Sequence, residues 1–553
     1  MPKNFLEKGL KILLKRQTNI LSAAFVIMGT IILSQILGLV RQRLLVSIFG
    51  ASNILGVYLA SSRLPDFLFQ LVIAGALSSA FIPVFSDYLG KDKKEEAYRM
   101  GSSLLVMGLI LFSFLSVILF IFAQYFSKLM APGFSSEQIL LMSQLMRIII
   151  GGELLFIIAT FFSAVLQSYS HFFIPGFAAA MYNLGIIICI IFLSPYVGIF
   201  SAAYGVILGA FLFVIVQLPL VKKLGFAFKP SLKIKTSGVL EVFKLMWPRT
   251  ISIAIFQLGA VLTVTLVSFL PNPGRNYVIF DYAQTLYFAP VVLFGQAIAQ
   301  AAFPVLSREK NKIEDFKTTF ISSFNQMMYL VLPISVLLLV LRIPVVRLLF
   351  GAGQFDWQAT VLTGRTLAFF SISIFAQALI YLVARGFYAL HDTRTPLIIG
   401  ILSTLLMLGF GTAFIFIYHL GVESIAIGYS VASIIEVSFL FFFLDRKVGG
   451  FPKRNLFFSL SKIFLATVFT GFALYIPIKL LDQLIFDTTR TVGLLLLTGI
   501  STFAGLFLYL FLTWLFNVKE AQTYVLMFKK VGDWKQILSR SEEPIDVAEL
   551  PHR

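Results

Sequence analysis

The chain has 553 residues, of which 58% are hydrophobic and 13% charged, with a mean hydropathy of +0.92, and this excludes an ordinary soluble globular protein. The formal net charge of +18 sits between apolar runs, so it is assigned to basic loops at a membrane face and not to a nucleic-acid-binding surface. One cysteine, Cys189, excludes an intrachain disulfide, and His171, His391, His419 and His552 lack zinc-ligand spacing; no metal or other cofactor is expected.

Apolar runs of about 20 residues recur along the chain, and the ten-residue alternation of an outer-membrane barrel is absent. The pattern predicts an all-α polytopic membrane protein with about 14 transmembrane helices. Residues 1–19 carry Lys3, Lys8, Lys11, Lys15 and Arg16 without a cleavage pattern, and read as a cytoplasmic tail. The spans fall at 20–48, 54–88, 101–126, 138–168, 174–193, 200–221 and 240–270, then 277–306, 318–341, 358–390, 396–418, 424–444, 458–481 and 491–516. Several exceed the bilayer thickness and must tilt or bend, with Pro65, Pro248, Pro290 and Pro333 as the expected bends.

Loop charge sets the orientation. With the N-terminus inside, the inner segments hold 29 Lys and Arg residues and the outer loops 5, namely Lys128, Arg275, Arg342, Arg347 and Arg490. Both termini are therefore expected in the cytoplasm.

Two halves of the chain repeat. IPVFSDY from Ile82 resembles FPVLSRE from Phe303, which sets Pro83 and Pro304 221 residues apart; Pro175 and Pro396 have the same separation, and Arg147 and Arg365 are 218 apart. Six spans per copy is an even number, so the copies enter the membrane in one orientation and form two lobes related by a pseudo-two-fold axis along the bilayer normal. The expected organisation is an N-lobe at 20–221, a cytoplasmic linker at 222–239 and a C-lobe at 240–444. Two further helices with their preceding loop follow at 445–516, and a cytoplasmic tail at 517–553.

Within this frame the stretch from Ser34 to Tyr88 stands out, because it places Arg41, Arg43, Arg63 and Asp66 in apolar sequence broken by Pro65, Gly75 and Pro83. Intramembrane charges are costly and face a cavity or a partner, so this is the first candidate substrate path. Arg41 lies two helical turns after Ser34 on nearly the same face. Its planar, permanently charged fork suits a phosphate; the competing reading is snorkelling at the interface, a role open to Arg43. Arg63 and Asp66, at i and i+3, are spaced to pair, which would either serve substrate or only hold a kink. Asp281, the acid early in span 8, could instead partner an arginine of the first lobe, while Arg147, Glu153, Arg385 and Glu436 are the remaining charges in or near spans. Asp392 and Arg394, in ARGFYALHDTRTP, read as parts of a cytoplasmic hinge. No GxxxxGK[ST] loop is present, so ATP hydrolysis is not expected and energy must come from gradients.

The motifs SxxLGxxR (Ser34, Leu37, Gly38, Arg41), FGA (Phe49 to Ala51), RLPD (Arg63 to Asp66) and GALSSAFIPVF from Gly75 occur in the first lobe. APGF (Ala131 to Phe134), QLP (Gln217 to Pro219), FGAGQFD (Phe350 to Asp356) and ARGFYALHDTRTP (Ala384 to Pro396) follow. With these motifs the chain resembles the lipid II flippases of the MurJ/MviN family, within the multidrug/oligosaccharidyl-lipid/polysaccharide exporter superfamily. The resemblance implies a fourteen-helix flippase of the bacterial cytoplasmic membrane that moves a polyprenyl-pyrophosphate-linked peptidoglycan precursor outward by alternating access. It further implies a cationic cavity for the headgroup, a groove for the lipid tail at the last two helices, membrane lipids as surroundings and cell-wall synthesis proteins as candidate partners.

The departures from the family pattern are specific. Gln35 stands where family members commonly carry Arg, Gln42 where an Asp is usual, and Gly56 and Ala74 at positions that are often acidic; Gln284 and Thr285 replace a common Asp-Arg pair. The expected substrate-binding residues are Arg41, Arg63, Ser34, Gln35, Asp66, Gln284 and Asp281. Two other functions stay open, an exporter of the same fold for another polyprenyl-linked glycan or an amphipathic drug, and a non-transporting scaffold for envelope synthesis.

Overall fold

The computed structural model of the protein describes residues 20–74, 80–229, 237–481 and 491–521, and these form helices and no strand. The expected tail at 1–19, residues 522–553 of the tail expected at 517–553, residues 230–236 of the 222–239 linker, Gly75 and Arg490 lie outside the described residues. The first copy of the repeat is built from α1 (Ile20–Phe49), α2 (Asn53–Phe69), α3 (Ile82–Gly90), α4 (Lys94–Ile121), α5 (Ala123–Met130), α6 (Ser136–Ser168), α7 (Phe173–Val197) and α8 (Phe200–Lys223). The second follows as α9 (Ser237–Ser268), α10 (Pro273–Pro290), α11 (Ala297–Glu309), α12 (Ile313–Val340), α13 (Arg342–Phe350), α14 (Trp357–Ser371), α15 (Ile374–Ala389), α16 (Arg394–Phe416) and α17 (Glu423–Lys447). The chain closes with α18 (Lys453–Leu481) and α19 (Thr491–Leu515). Among the described residues 11 helices are long and apolar enough to cross a membrane, or 12 if the bent pair α14 and α15 counts as one. The two other expected spans, 54–88 and 240–270, fall on α2 with α3 and on α9.

The 221-residue period reappears in the backbone. Left-handed residues, costly for a side-chain-bearing residue, occur at Ser170 and His391 and again at Gly198 and His419, each pair 221 apart. A π-helical segment starts at Gln70 and another at Val291, also 221 apart. Duplication thus preserved the local distortions together with the apolar pattern.

Proline predicts the bends incompletely. Pro65 precedes the first π segment and Pro290 directly precedes the second, as expected of residues that remove a helix hydrogen bond. Pro333, in contrast, lies inside an unbroken α12, and α9 runs through Pro248. The sharpest break, 43° between α14 and α15, has no proline. There the Ser430 hydroxyl donates to the Phe369 carbonyl at 2.8 Å and so occupies an acceptor near the break.

Contacts divide the chain into two units. The first holds everything up to Tyr287 with Arg342–Phe370 and Arg394–Glu436, and so contains the first repeat and parts of the second. Its core includes the aromatic cluster of Phe81, Phe85, Phe161 and Tyr98, joined by Val239 and Val242 of α9. Cys189 is buried. The second unit holds Phe288–Leu341, Ser371–Thr393 and the chain from Val437 onward. There α18 pairs with α19, and α12 packs on both; Tyr509 donates to the Tyr329 carbonyl at 2.7 Å. Asp392 is bridged by Lys447 at 2.6 Å, the basic neighbour expected for a hinge residue.

Candidate functional site

On α1 the helical period places Ser34, Gly38 and Arg41 along one stripe, and that stripe packs on α7. Asn183 of α7 donates its side-chain amide to the Ser34 carbonyl at 3.2 Å and to its hydroxyl at 3.4 Å. Ser34 is therefore a helix-packing residue, and Gln35 beside it is exposed. Arg41 is half-buried and makes no hydrogen bond or ion pair among the described residues. It lies close enough to Tyr58, Tyr182, Tyr282 and Asp66 to act on them electrostatically. Arg43 donates to the carbonyls of Leu348 and Leu349 in α13.

Arg63 is bound along one edge of its guanidinium. Its Nε donates to the Tyr277 hydroxyl at 2.6 Å, and a terminal nitrogen pairs with the Asp281 carboxylate. Tyr277 and Asp281 are one helical turn apart on α10, so a single face of that helix meets the Nε edge of the guanidinium. The side chains of Arg63 and Asp281 are 28% and 12% exposed, which makes this a partly dehydrated pair. Arg63 therefore takes its carboxylate from α10, while neighbouring Asp66 meets Glu153 of α6 and Ser62. Charge identified Arg63, Asp66 and Asp281 in the sequence; Tyr277 and Glu153 gave no comparable signal of their partners.

Two departures from the family pattern meet in space. The Gln42 side-chain nitrogen approaches the Thr285 hydroxyl at 3.5 Å, and the Gln42 carbonyl accepts from Tyr282 at 3.0 Å. An acid at 42 and an arginine at 285 would face each other here; this chain sets a neutral amide against a hydroxyl. Gln284, next along α10, is half-buried.

Beyond these residues, at the loop end poor in Lys and Arg, the two repeats are stitched together inside the first unit. Cβ atoms added at Gly56 or Gly353 would overlap the carbonyls of Gly274 and Ser47, so backbone rests on backbone. The Gln354 amide donates to the Ser47 carbonyl at 2.9 Å, and Thr265 donates to the Met130 carbonyl at 2.8 Å. Arg275 forks onto Asp356 with two bonds of 2.9 Å, and also donates to the Ala51 carbonyl at 3.2 Å. Hydrogen bonds from Arg275 hold the Asp356 carboxyl below its ordinary value; the Ala359 amide adds to this, and partial burial opposes it. Sequence reading placed Arg275 only among the sparse outer charges and missed the seam it closes.

The family model described as "Lipid II flippase MurJ" matches residues 45–496. A probable lipid II flippase MurJ of Buchnera aphidicola subsp. Schizaphis graminum is 27% identical over 83% of this chain and 90% of its own length. The corresponding Thermotoga maritima protein is 29% identical, with coverage of 79% and 87%. A solved structure titled "Lipid II flippase MurJ, inward closed conformation" has a TM-score of 0.73 at 24% identity, covering 89% of this chain and 98% of that one, which shows the shared fold. Because the family model spans most of the chain, from the end of α1 into α19, this protein belongs to the lipid II flippase MurJ family.

Proposed function

We propose that this protein is a lipid II flippase, moving a polyprenyl-pyrophosphate-linked peptidoglycan precursor from the inner to the outer leaflet by alternating access. The observation that carries the reading is Arg41, a half-buried guanidinium among three tyrosines with no hydrogen-bond or ion-pair partner among the described residues. A permanent charge in such a place is expensive unless a ligand completes it, and a pyrophosphate accepts both edges of the fork. Arg63, its Nε edge occupied by Tyr277 and Asp281, holds α2 to α10 and adds positive charge. Asp66, Asp281 and Gln284 border this region, and Ser34 and Gln35 fall on its α1 side.

In this reading both termini are cytoplasmic and the repeats at 20–221 and 240–444 act as the two lobes. The stitched end then faces outward, and its closure is one of the two states that alternating access requires. An anionic headgroup moving from a negative interior to a positive exterior gains about 2.3 kcal/mol per charge per 100 mV, so the membrane potential can drive export. Three acids, Asp66, Glu153 and Asp281, stand near the two arginines, and this favours an amphipathic cationic cargo as the second reading.

The deciding experiment is complementation of a flippase-depleted bacterium, with the precursor measured on the outer leaflet at matched protein levels. The native chain and Arg41→Lys should export it, the latter in part, and Arg41→Ala should not. Export by Arg41→Ala at the native rate would refute the phosphate role, and no export by the native chain would refute the flippase reading.

A further inference from the structure

A pocket of about 670 Å³ lies at the Lys/Arg-rich end of the second unit, between α12, the start of α18 and the segment after α19. It is remote in sequence from Arg41 and independent of the cargo. Asn325 and Glu520 line it, each 7% exposed. The Asn325 Oδ1 and one Glu520 carboxylate oxygen have no hydrogen-bond partner among the described residues. A buried acceptor left unpaired costs about 1–3 kcal/mol, and more when charged. Two such acceptors in one pocket call for a ligand rich in N–H donors, and a primary ammonium brings three.

The same pocket carries the opposite chemistry. Lys462 lines it and donates to the Phe516 carbonyl at 2.7 Å, leaving two further N–H donors, while Lys519 lines it as an exposed cation. The Lys462 ammonium sits 4.7 Å from the ring centre of Phe458, which is itself 63% exposed. Phe457, Phe458 and Trp514 expose aromatic surface around this end of α18 and α19, as residues at a membrane interface do. A ligand held here therefore has an ammonium, an anionic group a few ångströms away and an apolar body in the bilayer.

We propose that this pocket binds the headgroup of an amine-bearing phospholipid of the phosphoethanolamine type. The ammonium donates to Glu520 and Asn325, and the phosphate is met by Lys462 and Lys519. The site is separate from Arg41 and takes a resident membrane lipid, not the exported one.

The test uses the full-length protein purified in detergent and native mass spectrometry with equimolar phosphatidylethanolamine, phosphatidylcholine and phosphatidylglycerol of identical chains. Choline keeps the charge and lacks the N–H donors, so phosphatidylethanolamine should be retained about tenfold over both other lipids. Glu520→Gln and, separately, Asn325→Leu should each reduce that preference to within about twofold, with lipid-free melting temperatures close to the parent's. Equal retention of the ethanolamine and choline lipids overturns the proposal, as does an unchanged preference in both variants. Soluble O-phosphoethanolamine that competes at the lipid's own concentration would overturn a membrane lipid as the source.

Discussion

Replacing Arg63 should destabilise the protein more than replacing Asp281 and Arg63 together. Arg63→Leu leaves the Asp281 carboxylate, 12% exposed, without its counter-charge, and takes a donor from Tyr277. Breaking a buried pair from one side costs about 3–5 kcal/mol, and the partial exposure of Arg63 lowers the expectation here to about 2–3 kcal/mol. Asp281→Asn alone leaves a cation that reaches water more readily and should cost about 1–2 kcal/mol. The double variant strands no charge, so the coupling energy should be about 1–3 kcal/mol. The assay is denaturation of the four proteins in one detergent, followed by precursor export in the depleted strain. A coupling below about 0.5 kcal/mol, the usual limit of additivity, would refute the account of Arg63 as a structural tie. Export restored in the stable double variant would place Arg63 outside headgroup binding; export still lost would place it within.

Arg41→Ala should weaken headgroup affinity about ten- to a hundredfold, the loss of one charge-assisted contact of roughly 1.5–3 kcal/mol, as read from the precursor dependence of export in vesicles. Gly56→Ala should push the seam between the repeats apart, because the new methyl overlaps the Gly274 carbonyl; a cysteine at Ala51 would then react faster with a soluble thiol reagent. Asp356 is lowered from 3.8, so its contribution to the seam is complete at and above pH 5 and is lost as pH falls through the depressed value; the labelling rate of the Ala51 cysteine, divided by that of an exposed cysteine at Ser135 to remove the thiol's own titration, should be flat from pH 5 to 8, and Asp356→Asn should raise it throughout. Cysteines at Ser135 and Gln354, both exposed, should react with an impermeant reagent added outside, and one at Ser237 should not.

Hydropathy made the membrane-spanning helices legible, and the period of 221 residues survives as paired backbone distortions that no alignment of apolar residues would reveal. The pairing of Asp281 with a first-lobe arginine could be posed from charge alone, because few acids lie within spans. Its choice of Arg63 over Arg41 could not, since 218 residues separate the partners and only packing decides between them. For the same reason Asp66 looked like the mate of Arg63 at i+3, yet Arg63 pairs with Asp281, and the Asp66 carboxyl meets Glu153 of α6. Ser34 was read with Arg41 as part of a motif, and its neighbour Asn183 shows it to be a packing contact. Proline flagged the π segments and missed the 43° break after α14, where the Ser430 hydroxyl on another helix takes the Phe369 carbonyl.

The glycine contacts of the seam between the repeats have a bioenergetic consequence. A path large enough for a sugar-peptide headgroup would, if open at both ends, short-circuit the potential that is proposed to drive it. Interlocking long side chains leave rotamers to freeze and crevices through which ions leak. At Gly56 and Gly274, and at Gly353 and Ser47, main chain lies on main chain, with no rotamer to order and little room for water. If this seam is the gate proposed above, its closed state would insulate the membrane whatever the cargo's charge.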